Sequence, residues 1–356
     1  MDDGMEGPAP RPLSDRQIKD EAMKSSSYAP AIGERFERAL VTGCAGFLGS
    51  HLSDRLLEAG TSVVGVDSFT DYYPRALKER NLVEARDHHL FELHERDIAS
   101  DPLDDLLEDV DVIFHLAAQA GVRGSFGSGF DTYLHANVRA TQRLLEAAVR
   151  VGVDTLVYAS SSSVYGNAAS FPTGETAPRA PVSPYGMTKC ATEDLAGVYH
   201  RDHGIRTVGL RYFTAYGPRQ RPDMAFNRFI AAGLTGQPIT ILGDGLQVRD
   251  FTFVDDVIEA TVSAAENGKV GSIYNVGGGT PVTLLAAVQI IEEQIGHPIE
   301  VRHRESARGD ARETGADTRR SRADLGFRAS VQLEDGLARQ LAWMAAIDRA
   351  PLKLAS

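Results

Sequence analysis

The stretch Ala39-Leu40-Val41-Thr42-Gly43-Cys44-Ala45-Gly46-Phe47-Leu48-Gly49 decides the fold. A short β-branched run, three glycines spaced three apart and an amphipathic pattern over 48–59 predict a strand, a tight turn and a helix. Glycine lets a backbone approach a ligand closely, and a helix starting near Phe47 presents unpaired N–H groups and its positive end to the turn. Such a turn is a seat for phosphate. The spacing Gly43-x-x-Gly46-x-x-Gly49 is one residue longer than the tighter Gly-x-Gly-x-x-Gly, so the flanking strand and helix carry the reading as much as the glycines do. Asp67 ends the next predicted strand, where a carboxylate accepts the hydroxyls of an adenosine ribose and repels a 2′-phosphate. NAD is therefore expected in preference to NADP. Asp97, after a predicted strand over 90–94, has two readings: a partner for the adenine amino group, or a cap for the next turn.

Outward from this turn the chain alternates predicted strands at 39–42, 62–67, 110–117, 155–161 and 207–213 with predicted helices at 48–59, 133–151 and 184–203. That rhythm implies a Rossmann-type, doubly wound α/β fold, its parallel sheet covered on both faces. After Gly217 the rhythm changes. Pro218, Pro222, Pro238 and the Gly243-Asp244-Gly245 turn cut the chain into shorter pieces, which predicts a smaller α/β lobe. Three divisions follow: a mobile polar leader over 1–35 with a short helix over 14–24 capped by Ser14, a cofactor domain over 36–217, and a substrate lobe over 218–356 whose segments can interleave with the first.

Two further stretches carry chemistry. Tyr185-Gly-Met-Thr-Lys189 opens the predicted helix at 184–203, and four-residue spacing puts Tyr185 and Lys189 on one face. A phenol ionises near pH 10, and a nearby ammonium favours the phenolate by roughly one to three units. Tyrosinate then becomes a usable base. The run Ser160-Ser161-Ser162-Ser163 ends the preceding strand, where Ser161 can share or pass the proton of a substrate hydroxyl. Tyr-x-x-x-Lys alone is a weak signal; after the glycine turn and the serine run, in this order, it reads as catalytic.

Composition limits the partners. The 356 residues carry a net charge of -12, which argues against nucleic acid or an anionic membrane as a main partner. Only Cys44 and Cys190 are present, without metal-ligand spacing, so neither a disulfide framework nor a zinc site is expected, and a reducing cytoplasm is. No apolar run approaches the roughly 20 residues of a membrane span.

With these stretches, His115-Leu116-Ala117-Ala118, Arg211-Tyr212-Phe213-Thr214-Ala215-Tyr216-Gly217-Pro218 and Arg249-Asp250-Phe251 make the chain resemble the extended short-chain dehydrogenase/reductases, and within them the nucleotide-sugar epimerases and dehydratases. The likeness runs from about Arg38 to Arg320. It is strongest toward UDP-glucuronate 4-epimerases, through Ala117-Ala118-Gln119-Ala120-Gly121-Val122-Arg123, the four serines and Arg219-Gln220-Arg221-Pro222-Asp223-Met224-Ala225. Decarboxylating relatives place Glu where Ser163 stands, and dehydratases place Asp-Glu at Ser162-Ser163; neither acid is here. UDP-glucose epimerases commonly carry Asn where this chain has Thr214.

The resemblance implies a UDP-sugar substrate oxidised and re-reduced at C4, NAD kept bound through the cycle, and a homodimer paired through the helices at 133–151 and 184–203. It implies catalysis by Ser161, Tyr185 and Lys189, and cofactor contacts from Gly43, Gly46, Phe47, Leu48, Gly49, Asp67, Asp97, Ala117, Ala118, Tyr185 and Lys189. The substrate carboxylate falls to Arg221, Thr214, Ser162 and Ser163, since a bidentate guanidinium suits an acid and is wasted on a hydroxymethyl group. Arg249, Arg308 and Asn227 are expected around the substrate diphosphate, and Arg123 near either diphosphate or sugar. His115 is expected to be structural.

Overall fold

A computed structural model describes residues 36–305, 309 and 311–349. The helix expected over 14–24 and the contact expected of Arg308 lie outside the described residues. Seven strands form the central sheet: β1 (Arg38–Thr42), β2 (Ser62–Asp67), β3 (Phe91–Glu95), β4 (Val112–His115), β5 (Thr155–Ser161), β6 (Arg206–Tyr212) and β11 (Ser272–Val276), in spatial order β3-β2-β1-β4-β5-β6-β11. Every neighbouring pair is parallel. Strand order reverses between β1 and β4, which opens a crevice beyond their carboxyl ends, the place where open α/β sheets bind ligands. Thr42 pairs with His115 at that end.

The strands are apolar on both faces because helices cover both. Ala39, Leu40, Val41, Val112, Ile113 and Phe114 are each at most 1% exposed. Each fully buried aliphatic side chain contributes roughly 1.5–3 kcal/mol. Helix α1 (Phe47–Glu58) follows the glycine turn, α2 (Ala140–Val151) precedes β5, and α3 (Pro184–His203) precedes β6. Ser183 caps α3 by accepting the Gly186 N–H at 3.1 Å, Pro184 occupies the first turn, and Gly204 ends the helix at φ 75°.

Two expected boundaries differ. The helix predicted over 133–151 is a short α-helix Phe130–Tyr133, a π-helical segment Leu134–Arg139, and only then α2. Asn137, 1% exposed, lies in the widened turn, and its carbonyl accepts the hydroxyls of Thr141 at 2.5 Å and Thr192 at 3.3 Å. Side chains compete there with the ordinary ladder. The strand predicted over 110–117 stops at His115, because the Ala117 N–H turns to Thr42 Oγ1 at 3.1 Å instead of continuing the sheet.

From residue 214 onward three two-stranded pairs form outside the central sheet: β7 (Thr214–Tyr216) with β10 (Phe251–Phe253), β9 (Val248–Arg249) with β12 (Val282–Thr283), and β8 (Ile239–Leu242) with β13 (Val301–Arg304). Helices α4 (Ala225–Thr235), α5 (Val254–Asn267), α6 (Leu284–Ile295), α7 (Arg319–Leu325) and α8 (Leu333–Arg349) pack around them. β11 returns from this part of the chain to the central sheet. Among the described residues no helix is long and apolar enough to cross a membrane.

Candidate active site

One cleft of about 380 Å³ lies at the sheet's reversal point, within the usual size of ligand sites. Its floor is the glycine turn. Gly43 has φ 72°, and a Cβ there would stand 2.9 Å from Ala117 Cα. A Cβ on Gly49 would stand 2.0 Å from the Gly43 carbonyl oxygen, and one on Gly46 3.1 Å from the same atom. The turn is therefore as close to β4 and α1 as a backbone can be. No side chain caps the start of α1, so its first N–H groups face the cleft beside Gly46, Phe47, Leu48 and Gly49. This cradle fits a dinucleotide diphosphate.

Asp67 lines the cleft and holds the turn: its carboxylate accepts the Ala45 N–H at 3.1 Å and the Phe69 N–H at 2.8 Å. Burial pushes its carboxyl above the usual range, against the pull of those two N–H groups. Asp97 also lines the cleft, caps the next turn through the Ala99 N–H at 2.9 Å and meets His135 Nε2 at 2.7 Å. Two residues missed in the sequence support this wall, one from behind it and one lining it. Asn81 donates to the Ala45 carbonyl at 3.0 Å, and Lys78 reaches the Thr70 carbonyl at 2.7 Å while lining the cleft. Neither belongs to a periodic pattern or a motif.

The inner wall carries Ser161, Ser162, Ser163, Tyr185, Lys189, Thr214 and Arg221, all lining one cleft. The Ser161 hydroxyl accepts the Ser163 N–H at 3.1 Å and lines the cleft with the Tyr185 phenol, whose ionised form it favours. Lys189 is 5% exposed and donates to the Ala159 carbonyl at 2.8 Å. Burial lowers its pKa to about 8, opposed by the Glu193 carboxylate. The expected electrostatics of Tyr185 need correction. Burial raises its pKa, and the groups that pull it back are Ser161 first and the Arg221 guanidinium second, with Lys189 not among them.

A buried network lies behind these groups. Glu193, one turn beyond Lys189, takes the Ser160 hydroxyl at 2.5 Å and both Nε and Nη2 of Arg211 at 2.8 Å. Arg211 Nη1 also donates to the Tyr165 hydroxyl at 2.8 Å, which donates to Asn275 at 2.7 Å. Alternation along β5 sends Ser160 to this network and Ser161 to the cleft. The four-residue step from Lys189 to Glu193 was the available signal. A second chain sits under the turn. The Ala117 N–H donates to Thr42 Oγ1, whose hydroxyl lies 2.8 Å from His115 Nδ1; His115 Nε2 lies 3.0 Å from Thr141 Oγ1, whose hydroxyl donates to the Asn137 carbonyl. That polarity requires a neutral Nε2–H imidazole. Burial and the Lys189 charge lower its pKa to about 3, in agreement with a structural His115.

Other expected contacts do not converge on the cleft. Arg123 is exposed and outside the lining. Asn227 turns to Gln220, donating to its carbonyl at 2.8 Å, and Arg249 donates to the Val248 carbonyl at 2.8 Å; neither lines the cleft. Arg221 does line it, with its fork already occupied: Nε and Nη2 meet the Asp223 carboxylate at 2.9 and 3.0 Å. Tyr72, whose ring lies 5.7 Å from that guanidinium, donates to the same carboxylate at 3.1 Å. Ala117 and Ala118 lie beyond the end of β4 and line the cleft.

The family model for the NAD-dependent epimerase/dehydratase family matches residues 39–277. The chain belongs to that family. It is 40% identical over 312 residues to a Bacillus subtilis protein described as an uncharacterised UDP-glucose epimerase, with 87% of this chain and 98% of the relative covered. It is 36% identical over 309 residues to a UDP-glucuronate 4-epimerase of Thermodesulfobacterium geofontis, covering 85% and 95%. A crystal structure of UDP-glucuronic acid 4-epimerase from Bacillus cereus in complex with UDP-glucuronic acid and NAD is 41% identical and superposes with a TM-score of 0.85 over 87% of this chain and 99% of that one.

Proposed function

We propose that this chain is an isomerase that interconverts UDP-glucuronate and UDP-galacturonate by NAD-dependent epimerisation at C4. The observation that carries the reading is a guanidinium, Arg221, in the same cleft wall as Ser161, Tyr185 and Lys189, with a carboxylate already in its fork. Gly43, Gly46, Phe47, Leu48 and Gly49 hold the cofactor diphosphate, Asp67 its adenosine ribose, Asp97 the adenine, and Ala117 and Ala118 the face opposite. When bound, NAD supplies reversible acceptance of a hydride from C4 of the sugar.

The chain's own groups move the proton. Tyr185 takes it from the 4-hydroxyl, with Ser161 sharing the hydrogen bond, and returns it after the 4-keto sugar has turned over in the cleft. Because burial opposes ionisation of Tyr185, the phenolate depends on cations at the site, of which Arg221 already acts on it. Lys189 orients the nicotinamide ribose. Thr214, Ser162, Ser163 and Arg221 hold the sugar carboxylate. A 4-keto uronic acid is a β-keto acid that loses carbon dioxide readily, so the same four residues keep the breaking bond out of alignment with the carbonyl. Arg249, Arg308 and Asn227, from a substrate lobe over 218–356, take the substrate diphosphate, and Arg123, in the cofactor domain over 36–217, takes the cofactor diphosphate or the substrate.

We also assign a cytoplasmic location, which suits two free cysteines, and a homodimer. Leu134, Met187 and Val198 are 36%, 38% and 47% exposed on the two helical segments expected to pair, and sedimentation tests that pairing. The central experiment is NMR of the product formed from UDP-glucuronate by the NAD-containing protein. UDP-galacturonate is expected; a pentose product or no turnover overturns the reading.

A further inference from the structure

Arg221 and Asp223 flank Pro222 in a tight turn closed by the Met224 N–H on the Arg221 carbonyl at 3.1 Å. Proline fixes the first corner, so both side chains leave the turn on the same side and meet. The guanidinium is 19% exposed and faces the cleft, and the carboxylate is 39% exposed at its rim. The Nε–Nη2 edge of Arg221, one of the two edges with which a guanidinium grips a planar carboxylate, is taken. Tyr72 approaches from the loop after β2, offering the Asp223 carboxylate a hydrogen bond independent of Arg221.

We propose that Asp223 is an intramolecular carboxylate that fills the Arg221 fork until the substrate carboxylate displaces it, and so sets how strongly the site prefers an acidic sugar to a neutral one. The inference rests on the reading that Arg221 receives the sugar acid. Its physical basis is that a largely buried guanidinium left unpaired is costly, and a built-in anion lowers that cost. A neutral sugar leaves the Arg221–Asp223 pair intact and is tolerated. An acidic sugar that takes the Nε–Nη2 edge exchanges one carboxylate for another, while Asp223 keeps the Tyr72 hydroxyl. Asp223 is thus a specificity-determining residue, and it holds the preference below what Arg221 alone would give.

The test measures kcat and KM separately for UDP-glucuronate and UDP-glucose with the NAD-containing enzyme, in wild type, Asp223→Asn, Asp223→Ala, Arg221→Ala and the Arg221→Ala/Asp223→Asn double variant. Removing the internal competitor is expected to raise the acid-to-neutral ratio of kcat/KM about three- to tenfold, mainly through a lower KM for the acid. In the Arg221→Ala background Asp223→Asn should leave the ratio unchanged. Dissociation constants of both UDP-sugars, read by calorimetry on each NAD-loaded variant, should move with KM even where turnover is impaired. A ratio that stays or falls in Asp223→Asn and Asp223→Ala, while Arg221→Ala still lowers it, overturns the exchange and makes Asp223 a support for Arg221. A wild type with no preference, unaffected by Arg221→Ala, sinks the assignment of Arg221 and this inference with it.

Discussion

The glycine turn and the sugar-facing wall are two sides of one cleft built in different ways. At the turn the closest contacts are backbone against backbone, Gly43 against Ala117 and Gly49 against the Gly43 carbonyl, and the Asp67 and Asn81 side chains hold the amide and carbonyl of Ala45. No rotamer can relax the two glycine contacts. On the sugar side the groups are long side chains from separate segments, and Arg221 shows the consequence by pairing within its own turn. The first surface is fixed before a ligand arrives, whereas the second is completed by exchange of partners. Substitutions should therefore act abruptly on one side and by degrees on the other.

The sharpest break is expected at Gly49. Gly49→Ala places a methyl group 2.0 Å from a backbone oxygen that cannot swing away, so the turn must open. We expect loss of co-purifying NAD(H), measured by denaturing extraction, together with a lower melting temperature. Gly60→Ala is the control, because its Cβ meets nothing within 4 Å and the strain of φ 84° costs only roughly 1–2 kcal/mol. Retention of stoichiometric NAD(H) in Gly49→Ala would show that the turn is softer than its geometry implies.

Next in size is the base. Tyr185→Phe should lower kcat a hundredfold or more while NAD stays bound, the scale usual for loss of a general acid–base group. Turnover near wild type would remove Tyr185 from that role. Ser161→Ala should be milder, since Ser162 and Ser163 stand in the same wall.

The contrast between the two sides also explains what the sequence made legible. A phosphate-binding turn must satisfy φ, packing and helix-start conditions within a few residues, so Gly43 to Gly49 expose it locally. The helix predicted over 184–203 is likewise found as α3, Pro184–His203. The π-helical turn at Leu134–Arg139 was hidden, because one extra residue in a turn leaves the apolar pattern almost unchanged. Asp223 stood in plain view beside Arg221, but which acid a guanidinium pairs with is a tertiary outcome. Lys78 and Tyr72 line the cleft, and Asn81 holds its turn from behind, only because the segment after β2 folds back over the turn.

Lys189 yields a smaller, pH-linked effect. Its folded pKa is lowered to about 8 by burial, against an ordinary value of 10.5. Between those values the unfolded chain binds the proton and the folded one does not, so stability rises with pH through that window. Below about pH 8 both states are protonated and the penalty of burying the charge is fully present. Relative to Lys189→Met, wild-type stability should increase by up to about 2 kcal/mol from pH 8 to 9.5, read from denaturant midpoints. A flat difference would mean that the ammonium is compensated where it lies.

The smallest effect is expected on the exchangeable side. Arg221→Ala removes the cation but leaves Thr214, Ser162 and Ser163 to hydrogen-bond the sugar acid, and Asp223 then loses its partner at a rim that water reaches. The acid-over-neutral preference should fall about tenfold, equivalent to ~1.4 kcal/mol, within the range for a charged hydrogen-bond partner. Loosening the carboxylate also frees the C–C bond to align with the 4-keto group, so release of a UDP-pentose should become detectable by NMR alongside the epimer. A fall in preference with no pentose would keep Arg221 as the carboxylate ligand and assign the restraint on decarboxylation to the hydroxyls. An unchanged preference would place the carboxylate elsewhere, and the two sides of the cleft would then differ less than their geometry suggests.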